Sequence, residues 1–188
     1  MRPIVKISLI TLLFLQAGFF AFAQQKDDVI IAQAPGGFSL HGKIYHKHFK
    51  DAVPPATGYV TDWEDLYSDA EEARLDSIIG NFETKTGIQI VIVTIDSSMS
   101  TKDGFDSCTL RIGQRWGVGQ DSSKGVLIGI SNSLGMMRIQ NGVGIGSKLS
   151  DGDTQQIVDQ DFLPAFEKRQ FYQGTVAGVK ALMAKLSQ

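Results

Sequence analysis

The stretch Thr86-Gly87-Ile88-Gln89-Ile90-Val91-Ile92-Val93-Thr94-Ile95 decides the fold. Seven of the eight residues from Ile88 to Ile95 are β-branched, and the run does not alternate with polar residues. A strand with one face in water alternates, whereas a near-continuous β-branched run needs cover on both faces. The pattern predicts a central strand between two helical layers. Upstream, Ser68-Asp69-Ala70-Glu71 has the spacing of a capping box, and Leu75, Ile78, Ile79 and Phe82 recur at helical spacing. Gly87 is placed to end that helix.

Downstream, Phe105, Cys108, Thr109, Ile112 and Trp116 mark a second helix, which Gly117 and Gly119 close. Trp116 and Cys108 fall on its apolar face and read as core. Strands are expected over 126–130 and 136–140, joined by Asn132-Ser133-Leu134-Gly135 as a hairpin. Ser150 or Asp151 caps a helix carrying Ile157, Val158 and Phe162, with Pro164 expected to stop it. A last helix carries Val179, Leu182, Met183 and Leu186. The order helix, strand, helix, strand, strand, helix, helix gives an α/β fold, and no internal repeat is present.

The N-terminal region reads differently. Arg2 and Lys6 precede the apolar run from Ile7 to Leu15, and Ala21-Phe22-Ala23 offers a small-x-small cleavage site before Gln24. That is a secretory signal peptide over residues 1–23. Residues 24–53 form a polar leader broken by Pro35-Gly36-Gly37, with Val29-Ile30-Ile31 as a short edge-strand candidate. The folded domain is expected over 54–188. His46 and His48 could share one side of a strand, as metal ligands do. Lys43, Lys47 and Lys50 flank them and oppose a cation, which favours a solvated leader.

Across 188 residues, 18 Lys and Arg stand against 20 Asp and Glu, for a net charge of −2. Losing Arg2 and Lys6 makes the mature chain more acidic still, so a nucleic-acid partner is excluded. One cysteine excludes an intrachain disulfide. No segment after the leader has the length of a transmembrane span. No histidine follows His48, so a Ser-His-Asp or Cys-His arrangement inside the domain is ruled out. Gly142-Val143-Gly144-Ile145-Gly146 has G-x-G-x-G spacing and follows a hairpin, unlike a dinucleotide fingerprint. Asp151-Gly152-Asp153 reads either as helix capping or as part of a calcium loop.

Several blocks in order carry a family resemblance. They are Gly58-Tyr59-Val60-Thr61-Asp62, Thr86 to Val93, Trp116-Gly117-Val118-Gly119, Lys124 to Ile128, and Met137 to Gly144. Leu149-Ser150-Asp151, Pro164-Ala165-Phe166 and Tyr172-Gln173-Gly174 complete them. Together they resemble the TPM domain, a module of exported bacterial and thylakoid-lumen proteins, over about residues 54 to 187.

The resemblance implies a three-layer α/β/α sandwich with a small mixed, mostly parallel central sheet. It also implies a phosphatase label and divalent-cation binding, calcium above all, through acidic loops at one end of the sheet. Transferred by position, the acids are Asp62 in the V-T-D block and Asp151 in the L-S-D block. Where the family reads D-N-G-V-L this chain has Ser123-Lys124-Gly125-Val126-Leu127, with Asp121 two residues early. The expected cation set is therefore Asp62 and Asp151, with Asp121 and Ser123 as further oxygens. Lys124 beside it makes the binding weak.

Two functions follow from this reading. One is a non-catalytic envelope module, monomeric and periplasmic or secreted, that binds envelope or membrane-associated proteins under modulation by a cation. The other is a metal-dependent phosphomonoesterase. Export predicts that intact mass of the secreted protein corresponds to a chain starting at Gln24. A secreted species retaining Met1 to Ala23 contradicts it.

Overall fold

In the computed structural model, residues 53–120 and 124–188 are described. The signal peptide, nearly all of the leader with His46 and His48, and the candidate ligands Asp121 and Ser123 lie outside them.

Four strands form one sheet in the order β1-β2-β3-β4. They are β1 (Val60–Asp62), β2 (Gln89–Thr94), β3 (Gly125–Ser131) and β4 (Met136–Asn141). β1, β2 and β3 run parallel, while β4 returns antiparallel through the hairpin turn at Asn132–Gly135. β1 is absent from the reading of the sequence above, because three residues carry no measurable period. Its state is set by pairing, with Val60 opposite Ile92 and Asp62 opposite Thr94.

Every residue of β2 and of β3 is buried. Side chains leave the sheet alternately, so β2 feeds two cores. Ile90 and Ile92 join a cluster with Leu75, Ile79, Phe162, Val179 and Leu182. Val91 and Val93 join a second cluster with Phe105, Cys108, Ile112 and Trp116. Helices α1 (Asp69–Thr86) and α5 (Phe171–Leu186) therefore cover one face, and α2 (Phe105–Trp116) the other. This is the expected α/β/α sandwich. Fully burying an isoleucine or valine contributes about 1.5–3 kcal/mol, so β2 alone anchors both layers.

Local signals behave as their chemistry requires. The Ser68 N–H donates to the Glu71 carboxylate at 2.9 Å and starts α1. Gly87 closes it at φ 67°, a left-handed conformation that glycine adopts without a Cβ penalty. Trp116 is core, edge-on to Trp63 at 5.5 Å, and its Nε1 donates to the Pro54 carbonyl at 2.6 Å. Cys108 is buried, and desolvation raises its thiol pKa.

Pro164 does not end its helix. α3 (Asp151–Ile157) runs into a π-helical stretch at Val158–Phe162 and then α4 (Leu163–Phe166). The Leu163 N–H reaches back to Val158 O, five residues away. That wider turn makes room for a proline ring that an α-turn would exclude. Among the described residues, no helix is long and apolar enough to cross a membrane.

Among the described glycines, the tightest approach is made by the π stretch. It aims Phe162 at α5, where a Cβ on Gly178 would fall 2.0 Å from the ring. Gly178→Ala therefore overpacks the core and should cost about 1–3 kcal/mol, read as a lower urea midpoint. An unchanged midpoint contradicts this packing.

Candidate functional site

Asp62 ends β1 at the carboxyl end of the parallel strands. One of its oxygens accepts the Tyr67 N–H at 2.8 Å, and the other accepts the Thr94 hydroxyl at 2.5 Å. Thr94 Oγ1 in turn accepts the Glu64 N–H at 2.8 Å. The Glu64 carboxylate accepts the Asn132 and Ser133 N–H groups at 2.7 and 2.9 Å. A chain of hydrogen bonds thus runs from β1 to the β3–β4 turn. It also fixes the turn at Asp65, whose φ is 61°. Tyr67 anchors the same loop to α5 through its buried hydroxyl, 2.8 Å from Thr175 Oγ1. Burial pushes the Asp62 carboxyl above its ordinary pKa, although the bonds from Thr94 and Tyr67 pull the other way. The side chain acts as a clamp within the loop.

Asp151 lies at the other end. β4 is antiparallel, so its last residue, Asn141, pairs with Val126 near the start of β3. Asn141 Nδ2 donates to Thr154 Oγ1 at 2.8 Å, which ties this corner to α3, the helix that Asp151 opens. Asp62 is in register with Thr94, Ile130 and Met137, four residues along β4 from Asn141. With strands ~4.8 Å apart and ~3.3 Å per residue, the Asp62 and Asn141 backbones are about 20 Å apart. Calcium binds oxygens at about 2.3–2.6 Å. The register sets Asp62 and the corner tied to α3 at opposite ends of the sheet, a placement that does not suit the expected convergence of Asp62 and Asp151 on one cation. They sit at opposite edges and opposite ends of the sheet, because β4 reverses direction. The pair does not fit the group that the resemblance implies. Among the described residues, no three of His, Cys, Asp and Glu cluster in a way that could hold a metal.

The Asp151 end is built from caps and lysines. Ser150 Oγ accepts the Asp153 N–H at 3.1 Å, and Asp153 accepts the Ser150 N–H at 3.1 Å. Lys185 Nζ reaches Asp153 at 2.7 Å, and with the Ser150 bonds it holds that carboxyl down to about 2. Asp153 is therefore a cap and ion-pair partner, which answers one of the two readings for that residue. Asp151 itself is exposed. Lys124 and Lys148 line a small hollow of about 170 Å³ with Gly144 at this end.

A larger groove, about 560 Å³, follows the free side of β4. Met137, Ile139 and Asn141 line its strand side, and Thr154, Val158 and Leu163 its helical side, with Asp151 at the Asn141 end. Asn141 is 7% exposed. The Thr154 hydroxyl donates to Ser150 O at 2.9 Å, so its oxygen can only accept from Asn141 Nδ2. That fixes the amide orientation and leaves Asn141 Oδ1 buried without a partner. Arg138 pairs with Asp106 at 3.3 Å, while its buried Nε is likewise unpartnered. Both lie in the Met137–Gly144 block, which does not single them out. Their polar atoms become conspicuous only once β4 is known to be an edge.

A family model described as the TPM domain matches residues 60–185. The chain is also similar to two solved structures. One is the N-terminal domain of a protein from P. gingivalis, at 23% identity and TM-score 0.63, covering 70% of this chain and 83% of that one. The other is the N-terminal domain of cg2496 from Corynebacterium glutamicum, at 14% identity and TM-score 0.52, covering 71% and 83%. At these identities the likeness is one of fold. No curated protein matches the chain.

The clamp makes Asp62 testable. Because its pKa is raised on folding, its charge subtracts from stability above the unfolded value of 3.8, and acidification relieves that cost. Asp62→Asn removes the buried charge and keeps an acceptor for Tyr67 N–H but not for the Thr94 hydroxyl, so at pH 7 it should lose less than Asp62→Ala, and the parent should gain on it as pH falls through the raised pKa. Asp62→Ala leaves Tyr67 N–H and the Thr94 hydroxyl without their acceptor and should cost about 1–3 kcal/mol. Urea unfolding at pH 7 and pH 4 reads both, and an Asn variant as weak as Ala contradicts the assignment.

Proposed function

The chain belongs to the TPM domain family, and from that premise we propose that it is a non-catalytic binding module. It is exported to the periplasm or beyond by the signal peptide over residues 1–23, and it acts on envelope or membrane-associated proteins. The observation that carries this reading is the use of Asp62. Each of its oxygens accepts a hydrogen bond from within its own domain, from the Tyr67 N–H and the Thr94 hydroxyl, so the V-T-D block serves the fold. The groove on β4 supports the same reading. Its basic side chain Arg138 is paired with Asp106, and its lining includes no hydroxyl or thiol paired with a base.

A metal-dependent phosphomonoesterase needs a cation that polarises a phosphoryl oxygen while orienting water. Two carboxylates at opposite corners of the sheet cannot share that ion. A divalent cation enters this account only as a weak modulator at the exposed Asp151 carboxylate.

Hydrolysis of an activated phosphate ester by the mature chain, with and without chelator, tests the proposal. The expected rates are indifferent to chelator and unchanged in Asp62→Asn and Asp151→Asn. Chelator-sensitive turnover abolished by Asp151→Asn overturns the module reading. Calcium titrated calorimetrically into the same proteins should bind no tighter than about 10⁻³ M, unaffected by Asp62→Asn and lost in Asp151→Asn. Equal loss in both variants would restore the shared site.

A further inference from the structure

The groove along β4 has the chemistry of an unfinished sheet. The Gly142 N–H donates to Gly125 O, which fixes the phase of the antiparallel ladder. Gln140, Arg138 and Met136 therefore exchange hydrogen bonds with β3, whereas Met137, Ile139 and Asn141 turn N–H and C=O away from it. The edge presents donors and acceptors in alternation. Two buried side-chain atoms of β4 also lack partners, on opposite faces of the sheet: Arg138 Nε on the face of Asp106 and Asn141 Oδ1 on the face of Thr154. A simple anion would satisfy only the donors, and a simple cation only the acceptors. Another extended backbone satisfies both.

The geometry points to β4 as a strand-addition site for an extended peptide segment of a partner protein, with a Lys or Arg side chain at the Asp151–Asn141 end. This rests on the module reading and names the kind of partner it takes. Charge complementarity sets the occupant. The Asn141 end offers the exposed Asp151 carboxylate in a groove whose one basic side chain, Arg138, is already paired, which calls for a cationic donor from the occupant. Met137, Ile139, Val158 and Leu163 supply apolar contacts for side chains that alternate along the added strand.

A second copy of this chain fits less well. Two-fold pairing about Ile139 would bring Asp151 of one copy to the Gly135–Met137 end of the other. Of the groove-lining residues, the one basic side chain is Arg138, which is already paired with Asp106. The helical side of each groove, at Val158 and Leu163, would also meet its counterpart.

The test uses the mature chain in chelator-containing buffer and peptides selected on it from a random display library. Selected sequences should alternate apolar residues and share one Lys or Arg at a fixed position. Saturating peptide should slow amide exchange at Met137, Ile139 and Asn141 about tenfold or more, with Arg138 and Gln140 unchanged. Asp151→Asn should weaken binding about two- to fivefold, and the effect should vanish when the peptide's basic residue is alanine. Met137→Pro removes only an outward N–H, which an edge strand tolerates, and should abolish binding while the far-ultraviolet spectrum is retained.

Protection elsewhere, or helical selected peptides, overturns the site. Protection that rises with protein concentration in the absence of peptide assigns the edge to a second copy instead. Either result leaves the module reading standing, since that reading fails only on chelator-sensitive catalysis.

Discussion

Two-sided burial of β2 is the condition on which the rest of this molecule depends. A strand with no solvent face must have helices on both sides, and one short segment thereby dictates a three-layer arrangement. Ile90 and Ile92 hold α1 and α5, while Val91 and Val93 hold α2. β1 and β3 are then recruited in parallel by the open hydrogen bonds of β2. Three residues suffice for β1, because its stability comes from its neighbour and from the packing of Val60 and Trp63.

The direction of β4 separates the two ends of the sheet chemically. Had β4 run parallel, the loop after it would emerge at the same end of the sheet as Asp62. It runs antiparallel, so the helix opened by Asp151 starts at the opposite end. The carboxyl end of the sheet is closed by internal bonds, with Asp62, Glu64 and Thr94 holding the β1–α1 loop to the hairpin turn. The other corner keeps an exposed acid, a buried amide oxygen without a partner and a free strand edge. Acids that look equivalent in sequence motifs therefore have different work. One is spent on folding and the other remains available.

Much of the fold was legible in the chain. The β-branched run, the Ser68–Glu71 cap and the αL position of Gly87 each have a local physical cause that survives in the folded state. β1 was not legible, since three residues show no period. Pro164 misled, because a π turn upstream removed the clash that normally stops a helix. The site was less legible than the fold. Motif blocks name residue types but not the end of the sheet at which each emerges, and Asp62 with Asp151 needed strand direction to be placed. Asn141 and Arg138 stand in the Met137–Gly144 block, but nothing in it marked their polar atoms, because an unpartnered atom exists only relative to packed neighbours.

The central claim is that the two ends of the sheet differ in what they leave free. Native-state amide exchange on the unliganded protein measures that difference directly. The account predicts strong protection at Tyr67, Asn132 and Ser133, whose N–H groups are held by Asp62 and Glu64, and rapid exchange at Met137 and Ile139 on the open edge. Rapid exchange at Tyr67 and Asn132 would mean that Asp62 and Glu64 are free for other ligands. That result would contradict the assignment of Asp62 to the fold.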